Sequence, residues 1–389
     1  MAPDMPRFSV RVAPRLSLRA ILVSALACGL VTGVRSDASA QAASPPNRTI
    51  GLVLTSLFTA IYETRYMDEC PEGLAVGNDE LWLQTMTPAE RERATAGGTK
   101  NHIDRKYQAE VRGPHGEDSC WYPELLRDPP LRTVQGTTAY GFNLDGTTDG
   151  HATPKSCAHQ KFVGLDGEPG IDNQIYRVVG CIKGFRHDGY VETTAQTERI
   201  NTSRGITLIE VSDVDDARND PDVKVAFYRP KDQLLKDSAA NVLPFASYAI
   251  DPTYAEFTHG KIVDGVLSTD PVDVHLPFQG DIVISELDLR DMRLRLELAA
   301  DGSGATGLMG GYYNWSTWWD FIRKIQLTST SIHSCPALYD ASRKLADGYP
   351  DPKTGECTAI STAYRVAFLP AFIIHPASEK RISGTAANR

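Results

Sequence analysis

The stretch Met292–Leu298, which reads MRLRLEL, decides the fold class of this 389-residue chain because a large apolar side chain occupies every second position. A period of two places the methionine and the leucines on one face of a strand and the charged side chains on the other. Such a strand, with one face on a core and one in water, is typical of an antiparallel sheet. The stretch therefore predicts a β-rich fold.

Short strands and tight turns continue on both sides of this stretch. Asp301–Gly304 reads DGSG, a turn sequence, and Ala305–Tyr313 has the composition of a returning partner strand. Apolar segments from residue 206 onward predict further strands: Ile206–Val211, Val223–Tyr228, Ala246–Ile250, Gly260–Val266, Val272–Leu276 and Asp281–Ser285. Strands joined by short turns favour an antiparallel β-sandwich-like region over residues 201–313, within an α+β, β-rich fold.

Helices and a tail that pack on the sandwich are expected after this region, over residues 314–389. Ser334 is a suitable N-cap for a helix over Pro336–Ala346, and Thr87–Glu90 reads TPAE, which predicts an earlier helix start. A third helix, which Asn314 or Ser316 caps, would place four apolar side chains on one face at a spacing of i, i+3, i+4 and i+7: Trp315, Trp318, Trp319 and Ile322.

The first forty residues have the order of a secretory signal peptide. Arginines dominate residues 1–19, an apolar run of 15 residues follows over Ala20–Val34, and Ala38–Ala40 forms a small-x-small cleavage site. The run is shorter than the roughly 20 residues that span a bilayer. We therefore expect a mature chain that starts near Gln41, is periplasmic or secreted, has no membrane span, and begins with a loop-rich region over residues 41–200.

The net charge argues against nucleic acid as a partner. The whole chain has 40 basic and 49 acidic side chains. Removal of residues 1–40 takes away five arginines and two aspartates, which leaves 35 basic and 47 acidic side chains and a formal charge of −12. Proteins that bind nucleic acid cluster lysine and arginine, so we expect no nucleic-acid partner.

The six cysteines of the mature chain predict three disulfides, because exported proteins fold in an oxidising compartment. The seventh, Cys28, lies in the signal peptide. No Cys-x-x-Cys motif occurs, so a zinc or haem site has no motif to support it. Each consecutive pair brackets one loop-rich segment, which favours sequential pairing: Cys70–Cys120, Cys157–Cys181 and Cys335–Cys357.

Residues 143–173 are rich in aspartate, asparagine and glycine, the composition of a calcium-binding loop. Ca²⁺ prefers oxygen ligands, and glycine lets the backbone fold around the ion. The strict EF-hand spacing is absent. We predict a calcium cofactor, with six side chains as candidate metal ligands: Asn143, Asp145, Asp149, Asp166, Asp172 and Asn173.

Other interpretations of the acidic loops remain open. Surface Asp-Gly turns need no metal. His151 and His159, together with Asp145 or Asp149, would instead suit a transition metal. The acidic stretch Asp213–Asp222 lies between two predicted strands, and it is either a second ligand loop or a solvated hairpin connection.

Three aromatic residues are candidate ligand-binding residues: Tyr312, Tyr313 and Trp318. Exposed aromatic rings stack on sugars and anchor protein partners. The same spacing also fits a buried helix face, so core packing is the alternative.

No catalytic signature occurs in the chain: neither Gly-x-Ser-x-Gly nor His-Glu-x-x-His is present, and catalytic residues are not assigned. The first hypothesis is therefore an exported, calcium-stabilised binding protein for a glycan or protein ligand. One alternative is an exported hydrolase that uses a metal or a carboxylate pair. The other is a periplasmic accessory subunit of a redox or surface complex.

Overall fold

The structure, a computed structural model, describes residues 48–96, 107–280, 283–325 and 332–376. The predicted signal peptide and the start of the mature chain lie outside these residues. The described strands are β1 (Arg48–Thr59), β2 (Phe162–Val163), β3 (Pro169–Ile171), β4 (Leu208–Val214), β5 (Asp220–Pro230), β6 (Ala246–Val263), β7 (Val266–Thr269), β8 (Val272–Gly280), β9 (Val283–Leu298), β10 (Ala305–Asn314), β11 (Gly348–Pro350) and β12 (Cys357–Ile374). The described α-helices are α1 (Asn78–Gln84), α2 (Pro88–Thr95), α3 (Gln174–Val179), α4 (Tyr190–Thr202), α5 (Trp315–Lys324) and α6 (Cys335–Leu345).

Eight strands form a closed antiparallel barrel. Hydrogen bonds join β1, β4, β5, β6, β7, β9, β10 and β12 in that order, and β12 pairs with β1 to close the ring. The closing register places Val53 opposite Leu369 and Phe58 opposite Arg365. Strands β8 and β11 extend the sheet beside β9 and β12, and β2 and β3 form a separate two-stranded sheet.

The closed barrel shows that the prediction of a β-sandwich-like region was wrong. Apolar and polar residues alternate with a period of two in a sandwich and in a barrel alike, because in both folds each strand has one buried face and one face exposed to solvent. The difference lies in the pairing of the first and last strands, β1 and β12. The segment that forms β12 was expected to contain only helices and a tail, so the strand that closes the ring was missed.

The predicted hairpin at MRLRLEL is confirmed. Strand β9 contains Met292–Leu298, and Ala305 of β10 pairs with Leu298 across the predicted turn. Met292, Leu294 and Leu296 are buried, whereas the charged residues between them are partly or fully exposed.

Opposite faces of the strands belong to different clusters. Leu52 and Leu54 of β1 pack in the main core cluster with side chains from the other barrel strands. Val53, between them, packs in a second cluster with Tyr228 and with Tyr248, which lies in the strand that follows the loop at residues 231–245. The main cluster extends to apolar side chains of α5, so the core continues from the barrel into the helices.

Helices cover one end of the barrel. Strand residues Leu57 and Tyr364 and helix residues Val191 and Phe321 line one small cavity of about 30 Å³ at this end. The predicted helix starts are confirmed. The Asn314 side chain accepts a hydrogen bond from the Thr317 N–H at the start of α5. Ser334 accepts one from the Ala337 N–H in α6, and Thr87 accepts one from the Glu90 N–H in α2.

Three disulfides are present, as predicted, but the predicted sequential pairing was wrong. The bridges are Cys70–Cys181, Cys120–Cys335 and Cys157–Cys357, with Cα–Cα distances of 5.8, 4.9 and 6.1 Å. Each links segments 111 to 215 residues apart in sequence. The bridges therefore join each loop-rich segment to a distant part of the chain and do not close it on itself.

The bridges fit a protein of an oxidising, extracytoplasmic compartment. Among the helices in the described ranges, none is long and apolar enough to cross a membrane. Each of the regions 41–200, 201–313 and 314–389 contributes at least one strand to the barrel sheet.

Candidate functional site

A cluster of five ionisable side chains lies buried beneath the loop that was predicted to bind calcium: Asp145, His159, Lys161, Asp172 and Asp347. An isolated antiparallel β-bridge between Phe142 and Asp172 joins the start of the loop to its end. The paired strands β2 and β3 follow Lys161. Asp347 comes from the segment just before β11. The Cys157–Cys357 disulfide fastens this loop to the start of β12.

Lys161 holds two of the aspartates together. Its Nζ lies 2.6 Å from Asp145 Oδ1 and 2.5 Å from Asp172 Oδ1. His159 Nε2 lies 2.6 Å from the same oxygen of Asp172 and 3.6 Å from Asp347 Oδ2. The aspartate side chains are fully buried, and those of the lysine and histidine are 5% exposed, so the charges compensate one another without bulk water.

Burial and pairing move the pKa values of the cluster in different directions. For Asp145, burial raises the pKa, but hydrogen bonds from Lys161, the Thr147 backbone and Ser156 outweigh burial and lower it to about 2. For Asp347, burial raises the pKa to about 6. For His159, burial alone lowers the pKa, but the hydrogen bond to Asp172 and the nearby Asp347 raise it overall.

Two of the six predicted metal ligands lie in this cluster. Ligand atoms of Asp145 and Asp172 lie within 4.8 Å of each other and of His159, a geometry that is compatible with a metal ion. His151, the other histidine of the transition-metal interpretation, is exposed and pairs with Asp149 instead. In this structure the cation between the two aspartates is the lysine ammonium. The calcium assignment stays a prediction.

The other predicted ligands have local roles. Asn143 Oδ1 accepts the Gly146 N–H, and Asp166 Oδ1 accepts the Glu168 N–H, as in ordinary turns. Asn173 is buried and caps α3. Asp347 lies more than 170 residues beyond Asp172 in sequence, and no local pattern near it indicates a site. Lys161 was not predicted, because a calcium loop needs oxygen ligands and not an ammonium group.

The predicted aromatic ligand residues are buried. Tyr312, Tyr313 and Trp318 have exposed fractions of 0%, 1% and 4%. Tyr313 donates a hydrogen bond to the Glu286 carbonyl oxygen, and Trp318 lines the small cavity at the helix-covered end. These three side chains therefore form no exposed platform in this structure.

The barrel end away from the helices carries two adjoining clefts of about 540 and 500 Å³, here called the mouth. Both clefts share four lining residues: Arg218, Leu298, Ala299 and Gly304. Three connections form its walls, those between β4 and β5, β6 and β7, and β9 and β10. The acidic stretch Asp213–Asp222 is the first of these, so it is a hairpin connection that also borders a cleft.

The larger cleft combines an apolar floor with a basic rim. Ile50, Leu52 and Val214 are among its apolar lining residues. Arg48 and Arg218 stand at its edge together with a single acidic residue, Asp301. Neither arginine forms an ion pair with another residue in the described part of the chain.

No protein-family model matches the chain, and neither a curated protein nor a solved structure matches it.

Proposed function

We propose that this chain is an exported ligand-binding protein that takes a small amphipathic anion, such as a long-chain carboxylate, in the mouth of its barrel. The observation that carries the proposal is the larger cleft of about 540 Å³ at the end of the barrel that the described helices do not cover. Small-molecule sites have volumes of roughly 300–1,000 Å³, and barrel mouths are among their common positions.

The lining of the cleft supports this ligand class. Ile50 and Leu298, which are partly exposed, offer apolar contact to a hydrocarbon chain, which gains about 0.8 kcal/mol for each buried CH₂. Arg48 and Arg218 can each donate two parallel hydrogen bonds to a carboxylate. Because neither arginine is engaged in an ion pair among the described residues, an anion would not have to break one.

Export is part of the proposal. The arginine-rich start, the apolar run and the small-residue site of residues 1–40 support a signal peptide. Three disulfides support a periplasmic or secreted location. The glycan or protein ligand, the hydrolase and the accessory subunit stay untested predictions.

A fluorescence displacement assay tests the function. A fluorescent fatty-acid probe is bound to the mature protein and displaced by unlabelled carboxylates of increasing chain length. We expect one site per chain, affinity that rises with chain length, and a loss of at least tenfold in Arg218→Met, since methionine keeps an unbranched, flexible side chain but removes the positive charge. Arg204→Met, at an exposed arginine outside the clefts, is the matched control. Equal affinity in wild type and Arg218→Met would contradict the site.

A further inference from the structure

Two polar atoms in the buried charged cluster have no hydrogen-bond partner among the described residues. They are Asp347 Oδ2 and the hydroxyl of Tyr312, and both residues are completely buried. Asp347, Asp172 and Asp145 all lie near enough to Tyr312 to act on it electrostatically. A buried carboxylate oxygen without a hydrogen-bond partner is energetically costly, so such an atom points to an interaction with a further group.

His159 lies between the Cys157 carbonyl oxygen on one side and Asp172 and Asp347 on the other. Its Nδ1 lies 2.7 Å from the carbonyl oxygen of Cys157, and a carbonyl can only accept, so Nδ1 carries a proton. Nε2 lies 2.6 Å from Asp172 Oδ1, where it also carries a proton, and 3.6 Å from Asp347 Oδ2. A metal would take the place of this Nε2 proton. An imidazole whose other nitrogen donates to a backbone carbonyl is the usual arrangement of a metal-binding histidine.

The charges of the cluster also favour a dication. Three carboxylates and one ammonium give a formal charge of −2 once the Nε2 proton of His159 has been released to leave a neutral imidazole. Lys161 pairs with Asp145 and Asp172 but forms no ion pair with Asp347. A dication beside Asp347 would neutralise the remaining charge in a region from which water is excluded.

The distances from His159 to the two carboxylates are compatible with a shared metal ion. Two ligands of a tetrahedral ion at about 2.0–2.1 Å stand roughly 3.3 Å apart. His159 Nε2 and Asp347 Oδ2 are 3.6 Å apart. Asp172 Oδ1 is closer to the imidazole, at 2.6 Å, and would have to withdraw by less than an ångström.

We propose that His159, Asp172 and Asp347 bind one divalent transition metal, of the zinc or manganese class, with the Tyr312 hydroxyl beside it. One imidazole with two carboxylates suits these ions, whereas Ca²⁺ takes six to eight oxygen ligands. The ion would link the loop at 143–173 to the segment before β11. This site is separate from the mouth and does not depend on the proposed ligand.

Calorimetric titration tests the site on protein that has been dialysed against a chelator. Zn²⁺ and Ca²⁺ are titrated separately into wild type and into His159→Gln and Asp347→Asn. We expect one Zn²⁺ per chain and at least tenfold weaker binding in both variants, because removal of a direct ligand costs no less than removal of its supporting partner. His151→Gln is the matched control, since this exposed histidine of the same loop also pairs with an aspartate.

The ring resonances of His159 provide a measurement that does not need a variant to fold. We expect Zn²⁺ to shift the ¹⁵N signal of Nε2 and to leave His151 unchanged. Absence of one-to-one Zn²⁺ binding in wild type would overturn the proposal. A bridging water would then account for Asp347 Oδ2 and the Tyr312 hydroxyl. Binding that His159→Gln retains at full strength, or Ca²⁺ binding tighter than Zn²⁺, would overturn it as well.

Discussion

Gly265 donates its backbone N–H to the carbonyl oxygen of Arg218 over 2.8 Å. This bond fastens the connection between β6 and β7 to the connection between β4 and β5, and both form walls of the mouth. A side chain at position 265 would begin 3.0 Å from the Arg218 guanidinium. Gly265 therefore holds the Arg218 backbone in place and leaves room for the Arg218 side chain at the rim of the mouth.

Replacement of Gly265 by alanine is expected to affect both stability and ligand binding. Gly265 has a φ of +83°, so alanine is strained there and should destabilise the fold by about 1 kcal/mol. Its Cβ also displaces Arg218, which should weaken carboxylate binding severalfold. Gly355→Ala, at a φ of +76° with open space around its Cβ, is the control. Urea denaturation should show similar losses of stability in Gly265→Ala and Gly355→Ala. If both variants also bind the carboxylate more weakly, the result would argue against a role for Arg218.

The disulfide map is a second prediction. Non-reducing peptide mapping of the mature protein should recover three linked pairs, Cys70–Cys181, Cys120–Cys335 and Cys157–Cys357, and no free thiol. Removal of a native bridge that closes a loop this long should cost about 2–5 kcal/mol of unfolding free energy. Recovery of Cys70 linked to Cys120 would show that the arrangement of the N-terminal loops is different.

Lys161→Met should be strongly destabilising. It leaves Asp145 and Asp172 buried without their ammonium partner, and breaking a buried pair costs about 3–5 kcal/mol. Lys155→Met is the matched control, because Lys155 pairs with Asp291 at a side chain that is 57% exposed, where a pair contributes roughly 0–1 kcal/mol. Chemical denaturation that gives equal losses for the two variants would mean that the cluster is open to water.

His333 is expected to make the fold sensitive to acid. It is completely buried, and burial lowers its pKa from 6.5 to about 4. The folded protein therefore binds this proton less readily than the unfolded chain. Its contribution to stability is present above pH 6.5 and is lost as the pH falls to 4, by up to about 3 kcal/mol.

Comparison of wild type with His333→Leu isolates this contribution, since other groups titrate equally in both proteins. The difference in unfolding free energy between pH 7 and pH 4 should shrink in the variant. Replacement of the exposed His187 in the same way should leave the difference unchanged. If His333→Leu loses as much unfolding free energy as wild type between pH 7 and pH 4, the acid sensitivity comes from other groups.

Local features of the fold followed from the sequence, and long-range ones did not. The alternation of MRLRLEL and the caps at Thr87 and Ser334 are set by neighbouring residues, so they were predicted correctly. The closure of β12 on β1 depends on pairing across more than 300 residues. Such pairing leaves no periodic signal, and the same holds for the cysteine pairs.

The candidate sites show the same division. Asp145 and Asp172 stood out because they lie in one short acidic segment, and the structure brings them together. Asp347 reaches the same cluster from the far end of the chain, and nothing near it in sequence indicates this. The mouth is assembled from turns that are each ordinary, so only the closed barrel reveals Arg48 and Arg218 on one rim.

Photoaffinity labelling with a long-chain carboxylate that carries a diazirine tests the central claim most directly. After irradiation of the mature protein and proteolysis, the account predicts label on mouth peptides, those that contain Ile50–Leu52 or Leu298–Gly304, and competition by unlabelled carboxylate. Label confined to the helix-covered end, or labelling that excess carboxylate does not reduce, would contradict it.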